Sequence, residues 1–368
     1  MKSHFAAAFL LFALIIGKAA AQPPLASLAG PTMGTTYHIK YWGDQPNDPP
    51  KVKATIDELL AEFDRQMSTY RDDSELSQFN RAAAGEWFPV SADTARVVEE
   101  SLRYYRDTNG VLDVTVPPLL RLWNFSAGAK RDEPIVPPTD EAIAAAQRLA
   151  GSQHVQARLE PPALHKDLAG IEVDLSSIAP GYAVDLIIAK LQDLGFANAM
   201  VEIGGEVRAV GLRPDGKPWR IGVEQVDATD GTLARIVPLH DMALSTAGDY
   251  RNFRTADGGR FTHIIDPRTG RALPYVGASV TVVAKTCTEA DALDTPLLIM
   301  GPDDGYEWCV EHKIAALFQT RAAAGAIVTK STQWFDDLAP SNIKATGSAG
   351  GRTTKELSPN SPPTPTQP

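Results

Sequence analysis

Three short stretches carry side chains whose types and spacing could do chemistry. FTHIIDPRTG (261–270) places His263 near the end of a strand-like run, then Asp266 and a Pro/Gly turn. Imidazole titrates near neutrality and can take a proton from a hydroxyl nucleophile. A hairpin rim with polar residues is the bland alternative. As a strand residue, His263 should share a face with Ile265, leaving Ile264 and Asp266 on the other.

TCTEADALDTPLLIMG (286–301) reads as the start of the last helix, with Thr288 as a good N-cap and Asp291 in the first turn. Asp291 and Thr295 stand i, i+4 on one face, with Asp294 close by. A carboxylate and a hydroxyl there suit a hard cation such as Mg²⁺, and equally suit a capped, solvated helix start. Pro296 cannot donate to the Ala292 carbonyl, so a kink is expected there.

VDLSSIAPGYAVD (173–185) runs from a strand-like segment through a loop into a helix start, where unpaired N–H groups attract anions. Asp174 ends the strand, and Ser176 and Ser177 offer hydroxyls and carbonyls. Asp113 interrupts the apolar run GVLDVTVPPLLRLW and needs a dedicated partner if buried. Gly204-Gly205, inside a strand pattern, marks a bulge or a close backbone approach.

The elements that must position these groups alternate irregularly. TYHIKYW (36–42) reads as a strand, PPKVKATIDELLAEFDRQMS as a helix with Ile56, Leu59, Leu60 and Phe63 on one face, and DTARVVEESLRYYRDT as another, ended by Asn109-Gly110. EAIAAAQRLA is a third helix. GIEVDLSSI reads as a strand, followed by a helix with Pro180 in its first turn and Gly195 closing it. AMVEIGGEVRAVG and WRIGVEQV read as paired strands, and MALSTAGDY, FTHIIDP and GASVTVVAKT add more. This pattern lacks a strict βαβ rhythm and predicts an α+β fold.

The chain has 368 residues, 43% of them hydrophobic, and a net charge of −10. That balance excludes a nucleic-acid partner that needs a basic face. An acidic chain that handles phosphates needs a metal or backbone N–H groups to offset repulsion. Residues 1–21 carry a short positive region, an apolar stretch and an A-x-A type cleavage site, expected to be a signal peptide of an exported, periplasmic protein. No Cys lies near that cleavage site, so no lipid anchor is expected. Cys287 and Cys309 are too few for a disulfide scaffold and read as pairing thiols or isolated buried ones. One domain is expected over residues 22–345, with a Ser/Thr/Pro-rich disordered tail over 346–368.

PTMGTTYHIKY, MSTYRDDSELSQFN, GVLDVTVPPLLRLW, VDLSSIAPGYAVD, VEIGGEVRAVG, ALSTAGDYRNF, THIIDPRTG and EADALDTPLLIMG occur in one order. In that order the chain resembles the FAD:protein FMN transferases, the ApbE-type flavin transferases once labelled thiamine-biosynthesis lipoproteins. The resemblance implies a single domain of mixed or antiparallel sheets and packed helices, with FAD in a cleft between them. It implies Mg²⁺-dependent cleavage of FAD, release of AMP, and FMN joined by a phosphoester to a Ser or Thr hydroxyl of an acceptor protein, a subunit of a membrane redox complex. By position it assigns Met33, Tyr70, Val111, Leu112, Asp113, Asp174 and Ile265 to FAD, Ser177, Asp291 and Thr295 to the metal, and His263 to activation of the acceptor hydroxyl. Two departures stand out: Pro180 where Lys or Glu is usual, and Pro296 where Ala is. An FAD pyrophosphatase releasing free FMN and AMP, and a periplasmic flavin-binding protein without turnover, are the competing expectations.

Overall fold

The computed structural model describes residues 24–44, 46–126, 135–249, 253–256, 259–322 and 325–340. The expected signal peptide and the expected tail lie outside the described residues.

In chain order the strands are β1 (Ala26–Thr32), β2 (Thr35–Trp42), β3 (Trp87–Pro89), β4 (Val155–Leu159), β5 (Pro162–Lys166), β6 (Asn198–Ile203), β7 (Glu206–Val210) and β8 (Trp219–Glu224). They continue with β9 (Leu233–Leu239), β10 (Met242–Gly248), β11 (Phe253–Ala256), β12 (Gly259–Asp266), β13 (Arg271–Pro274), β14 (Ala278–Ala284), β15 (Ala315–Arg321) and β16 (Ile327–Ser331). The helices are α1 (Pro49–Met67), α2 (Glu75–Arg81), α3 (Ala92–Asp107), α4 (Pro117–Leu122), α5 (Asp140–Gln147), α6 (Ala179–Asp193), α7 (Cys287–His312) and α8 (Gln333–Leu338).

An eight-stranded sheet in the order β1-β2-β6-β7-β10-β14-β15-β16 forms the centre, and its paired strands run antiparallel. Smaller sheets, β11-β12-β13, β3-β5-β4 and β8-β9, surround it. Strand periodicity sends alternate residues to opposite faces. Thus Ala243, Val282 and Ala316 join the main core with α1, α6 and α7, while Leu244, Val283 and Leu317 join a second core with Trp219, Val237 and Phe335. This is the α+β architecture expected from the sequence.

Helix α1 shows why these residues coil. Asp48 Oδ1 accepts from Lys51 N at 3.3 Å, Pro49 and Pro50 occupy positions whose N–H would be unpaired anyway, and Val52, Ile56, Leu60, Phe63 and Met67 form the buried stripe. Helix α3 ends where Asn109 and Gly110 turn left-handed, at φ 52° and 80°.

Several elements differ from the sequence reading. Residues 171–175 alternate buried and half-buried, as a strand would, yet form none. Val173 N and O are both bonded to the Asn80 side chain at 2.8 Å, and Asp174 N donates to Val114 O. Gly204-Gly205 is a two-residue hairpin turn joining β6 to β7, with φ of 64° and 123°, rather than a bulge within one strand. Strand β8 pairs with β9 instead of with that hairpin. The N-cap of α7 is Thr286, which accepts from Glu289 N at 3.2 Å; Thr288 lies inside the helix and bonds Asp185. The backbone stays helical through Pro296 and breaks at Gly301 (φ 83°, ψ 179°), which follows the run LLIM and precedes Pro302. Cys287 and Cys309 are both free and buried.

Candidate active site

Where the segment between α1 and α2, α4, β10, β11, β12 and α7 converge, a cavity of about 540 Å³ opens. Strand β12 delivers His263 to it. Ile264 packs into the main core and Ile265 into a satellite core with Leu119, Trp123 and Ile143. The pairing of β12 with β13 slips between Phe261 and Ile265, so Thr262, His263 and Ile264 of one strand stand opposite Leu273 of the other. His263 sits in this irregularity, and His263, Ile264 and Ile265 all reach the cavity wall. His263 and Ile265 thus share the cavity wall as expected, and the irregularity brings Ile264 to it as well.

The turn after β12 is built to stay closed. Asp266 carboxylate accepts from Arg268 N and Nε at 2.9 and 3.0 Å, which makes this aspartate a turn-former. Trp123 Nε1 donates to Gly270 O at 2.9 Å. Gly270 has φ 67°, and a Cβ there would meet Ile143 Cγ2 at 2.5 Å, so only glycine fits. Pro267 of this turn lines the cavity.

Asp113, on the same wall, is buried and has the partners it needs. Its Oδ1 accepts from Thr115 N at 2.8 Å and from the hydroxyls of Thr115 and Ser152, both at 2.6 Å. Asp174 Oδ1 accepts from Ser176 N at 2.8 Å in a local turn that presents Ser177. Tyr70 stands 78% exposed at the cavity mouth, a free aromatic face that no core contact explains.

Helix α7 contributes Thr295 to the wall and Asp291 to a buried seam with α6. Gly181 N donates to Asp291 Oδ2 at 2.7 Å, so the chain's own carboxyl group occupies the start of α6. A Cβ on Gly181 would lie 2.4 Å from Cys287 O, which shows how closely the two helices approach. Asp294 accepts from Ser245 Oγ at 2.6 Å and from Thr295 Oγ1 at 3.1 Å. Burial, then the nearby Glu206 and Asp294 charges, push the Asp291 carboxyl well above the usual carboxylate range. Burial pushes Asp294 up to about 7 against the pull of its hydroxyl partners.

Of the residues singled out from the sequence, Tyr70, Val111, Leu112, Asp113, Asp174, Ser177, His263, Ile265 and Thr295 meet at this one cavity. Met33 and Asp291 do not line it. Met33 occupies the turn between β1 and β2 at φ 45° and packs on the main core, and Asp291 is held in the helix seam. Among the described residues no group of three or more His, Cys, Asp or Glu could hold a metal ion.

A sequence model of the ApbE family matches residues 33–318. The chain belongs to the ApbE family. An FAD:protein FMN transferase of Vibrio cholerae is 44% identical over 319 residues, 86% of this chain and 91% of that one. One from Haemophilus influenzae is 39% identical over 332 residues, 89% and 95% of the two chains. The solved apo structure of the Pseudomonas stutzeri flavinyl transferase ApbE is similar at a TM-score of 0.78 and 38% identity, covering 87% of this chain and 98% of that one. The Vibrio cholerae flavin transferase ApbE has a TM-score of 0.77 at 42% identity, covering 86% and 99%.

Within this ApbE fold the cavity wall also includes Thr69, Phe125, Thr246, Gly248, Phe253 and Arg254, none singled out from the sequence. Thr69, Thr246, Gly248 and Phe253 fall inside motifs that carry the family resemblance, which was the available signal. Arg254 carried none, because one arginine in a four-residue strand looks like an exposed edge position.

Proposed function

We propose that this chain transfers the FMN of FAD, through a phosphoester, to a Ser or Thr hydroxyl of an acceptor protein and releases AMP. The observation that carries this reading is the meeting of nine motif residues, His263 among them, on one cavity wall, in a chain whose ApbE relatives carry the name FAD:protein FMN transferase.

Ser177 and Thr295 on the cavity wall, with Asp291 in the helix seam one turn before Thr295, would make an oxygen-only set that suits a hard cation such as Mg²⁺. The fit rests on chemistry visible here: two neighbouring carboxyls, Asp291 and Asp294, are buried with their charged forms disfavoured, a condition that a cation relieves. When bound, Mg²⁺ supplies neutralisation of the diphosphate and of charge developing on the transferred phosphoryl group. The small number of protein ligands suits an ion that keeps waters and substrate oxygens in its shell.

The chain's own groups do the rest. His263 takes the proton of the acceptor hydroxyl as its oxygen attacks the FMN phosphorus in line. The bond from that phosphorus to the bridging oxygen breaks, and AMP leaves with the electron pair. Tyr70 offers a ring face to the flavin at the mouth. Pro267 and Ile265 put apolar surface on the wall beside His263.

The reading extends to an exported protein acting on a subunit of a membrane redox complex, supported by the leader-like pattern of residues 1–21. Incubation with FAD, Mg²⁺ and such a subunit, followed by intact mass, tests it. The acceptor should gain one FMN phosphoester, lost with EDTA or when the acceptor hydroxyl is replaced by alanine. An unmodified acceptor alongside released AMP and free FMN would make the chain a pyrophosphatase instead.

A further inference from the structure

The cavity is acidic where its substrate is anionic. Asp113 and Asp174 are on its wall, and the chain carries a net charge of −10. Among the described residues, Arg254 is the one arginine or lysine on the lining. Its placement is unusual. Strand β11 is an edge strand of four residues, where an arginine is normally solvated, yet Arg254 is only 5% exposed. Its guanidinium lies 5.6 Å from the ring centroid of Phe125, itself on the cavity wall, so the aromatic face holds the fork in place. Across the ladder Arg254 pairs with Phe261, two residues before His263. Arg254 and His263 both line the cavity, which puts the guanidinium and the imidazole on the same wall.

A planar guanidinium with several fixed donors matches phosphoryl oxygens better than any other side chain. We infer that Arg254 binds the diphosphate of the dinucleotide in this cavity. The inference rests on the proposed function and adds to it a phosphate-binding residue outside the metal set. It makes the site doubly cationic when loaded, with the metal on the α7 side and the guanidinium on the β11 side. It also makes Arg254 a specificity residue, since it gives a flavin dinucleotide an advantage that riboflavin, which has no phosphate, cannot use.

The test is equilibrium binding in EDTA, so that neither turnover nor metal masks the contact. The wild-type chain and Arg254→Met are titrated with FAD and, separately, with riboflavin, each following flavin fluorescence. A charge-assisted bond lost from a buried site corresponds to roughly a 10- to 100-fold weaker FAD complex, with riboflavin affinity changed less than about twofold. Equal losses for both ligands, or FAD affinity unchanged, would overturn the inference. Should Arg254→Met fail to fold, Arg254→Lys gives the same comparison, with FAD roughly three- to tenfold weaker and riboflavin unchanged. A wild-type chain that binds riboflavin no more weakly than FAD would also overturn it. A wild-type chain that binds neither ligand in EDTA and still fails to bind FAD when Mg²⁺ is restored would overturn the proposed function itself, which separates the two failures.

Discussion

Asp185 and Asp291 cap each other's helices. Asp185, on α6, accepts from Cys287 N and Thr288 N at the start of α7, each at 2.9 Å, and from Thr288 Oγ1 at 2.6 Å. Asp291, on α7, accepts from Gly181 N at the start of α6 at 2.7 Å. Carboxylates at helix N-termini satisfy orphan N–H groups and complement the dipole. The pair therefore fixes α7 against α6, and with it the position of Thr295 on the cavity wall.

Replacing Asp185 by alanine removes three hydrogen bonds to α7 and the ion pair with Arg208 at 2.6 Å. The expected cost is about 3 kcal/mol, because a capping carboxylate and the partner of a part-buried cation go together. Chemical denaturation measures it. A change below about 1 kcal/mol would mean that α7 is held by packing alone.

His263→Gln should lower the transfer rate roughly 10²- to 10⁴-fold, the ordinary worth of a general base. FAD affinity should stay within a few-fold, since the flavin contacts lie elsewhere on the wall. Single-turnover kinetics beside a binding titration separate the two. A variant with full transfer rate and weakened FAD binding would make His263 a binding group.

Asn80→Leu should loosen the segment that carries Asp174. Asn80 supplies both bonds to Val173, and the buried Lys166 ammonium holds the carbonyls of Asn80, Phe79 and Ile171 at 2.8, 3.0 and 3.1 Å. Stranding the Val173 groups costs about 2–4 kcal/mol. Hydrogen exchange at residues 171–175 should speed up more than exchange at β6, which the variant does not touch.

The metal-stripped protein should lose stability as pH rises from about 4 to about 7. The Asp294 carboxyl is pushed up to about 7 in the fold, against an ordinary value near 3.8. In that window the unfolded chain has released a proton that the folded chain still holds, so rising pH favours unfolding. Melting curves in EDTA across this range check it, and Asp294→Asn should flatten the trend. Added Mg²⁺ should restore stability more at pH 7 than at pH 5, where protons compete for the carboxylates.

Much of this was legible in the sequence, for identifiable reasons. The apolar stripe of α1, the alternation in β2 and the turn DPRTG announced themselves through period and turn chemistry. Residues 171–175 misled because their alternation is real, but their partner is the side chain of Asn80, 93 positions away along the chain. Thr288 looked like a cap because a threonine-to-acid spacing occurs twice in TCTEAD, and only the packing of Asp185 decides that Thr286 starts the helix. Pro296 looked like a kink, whereas the backbone break falls at Gly301, a glycine that adopts positive φ without strain. The bulge that turns His263, Ile264 and Ile265 onto one wall had no sequence signature.

In the proposed transfer, each diphosphate bond broken in FAD is matched by one phosphoester formed on the acceptor protein. The most direct measurement quantifies AMP and acceptor-bound FMN in the same reaction, with FAD, Mg²⁺ and an acceptor subunit. Equal amounts at every time point, both falling together in His263→Gln, is the result this account predicts. AMP accumulating while acceptor-bound FMN stays at zero would contradict it, because water would then be the nucleophile.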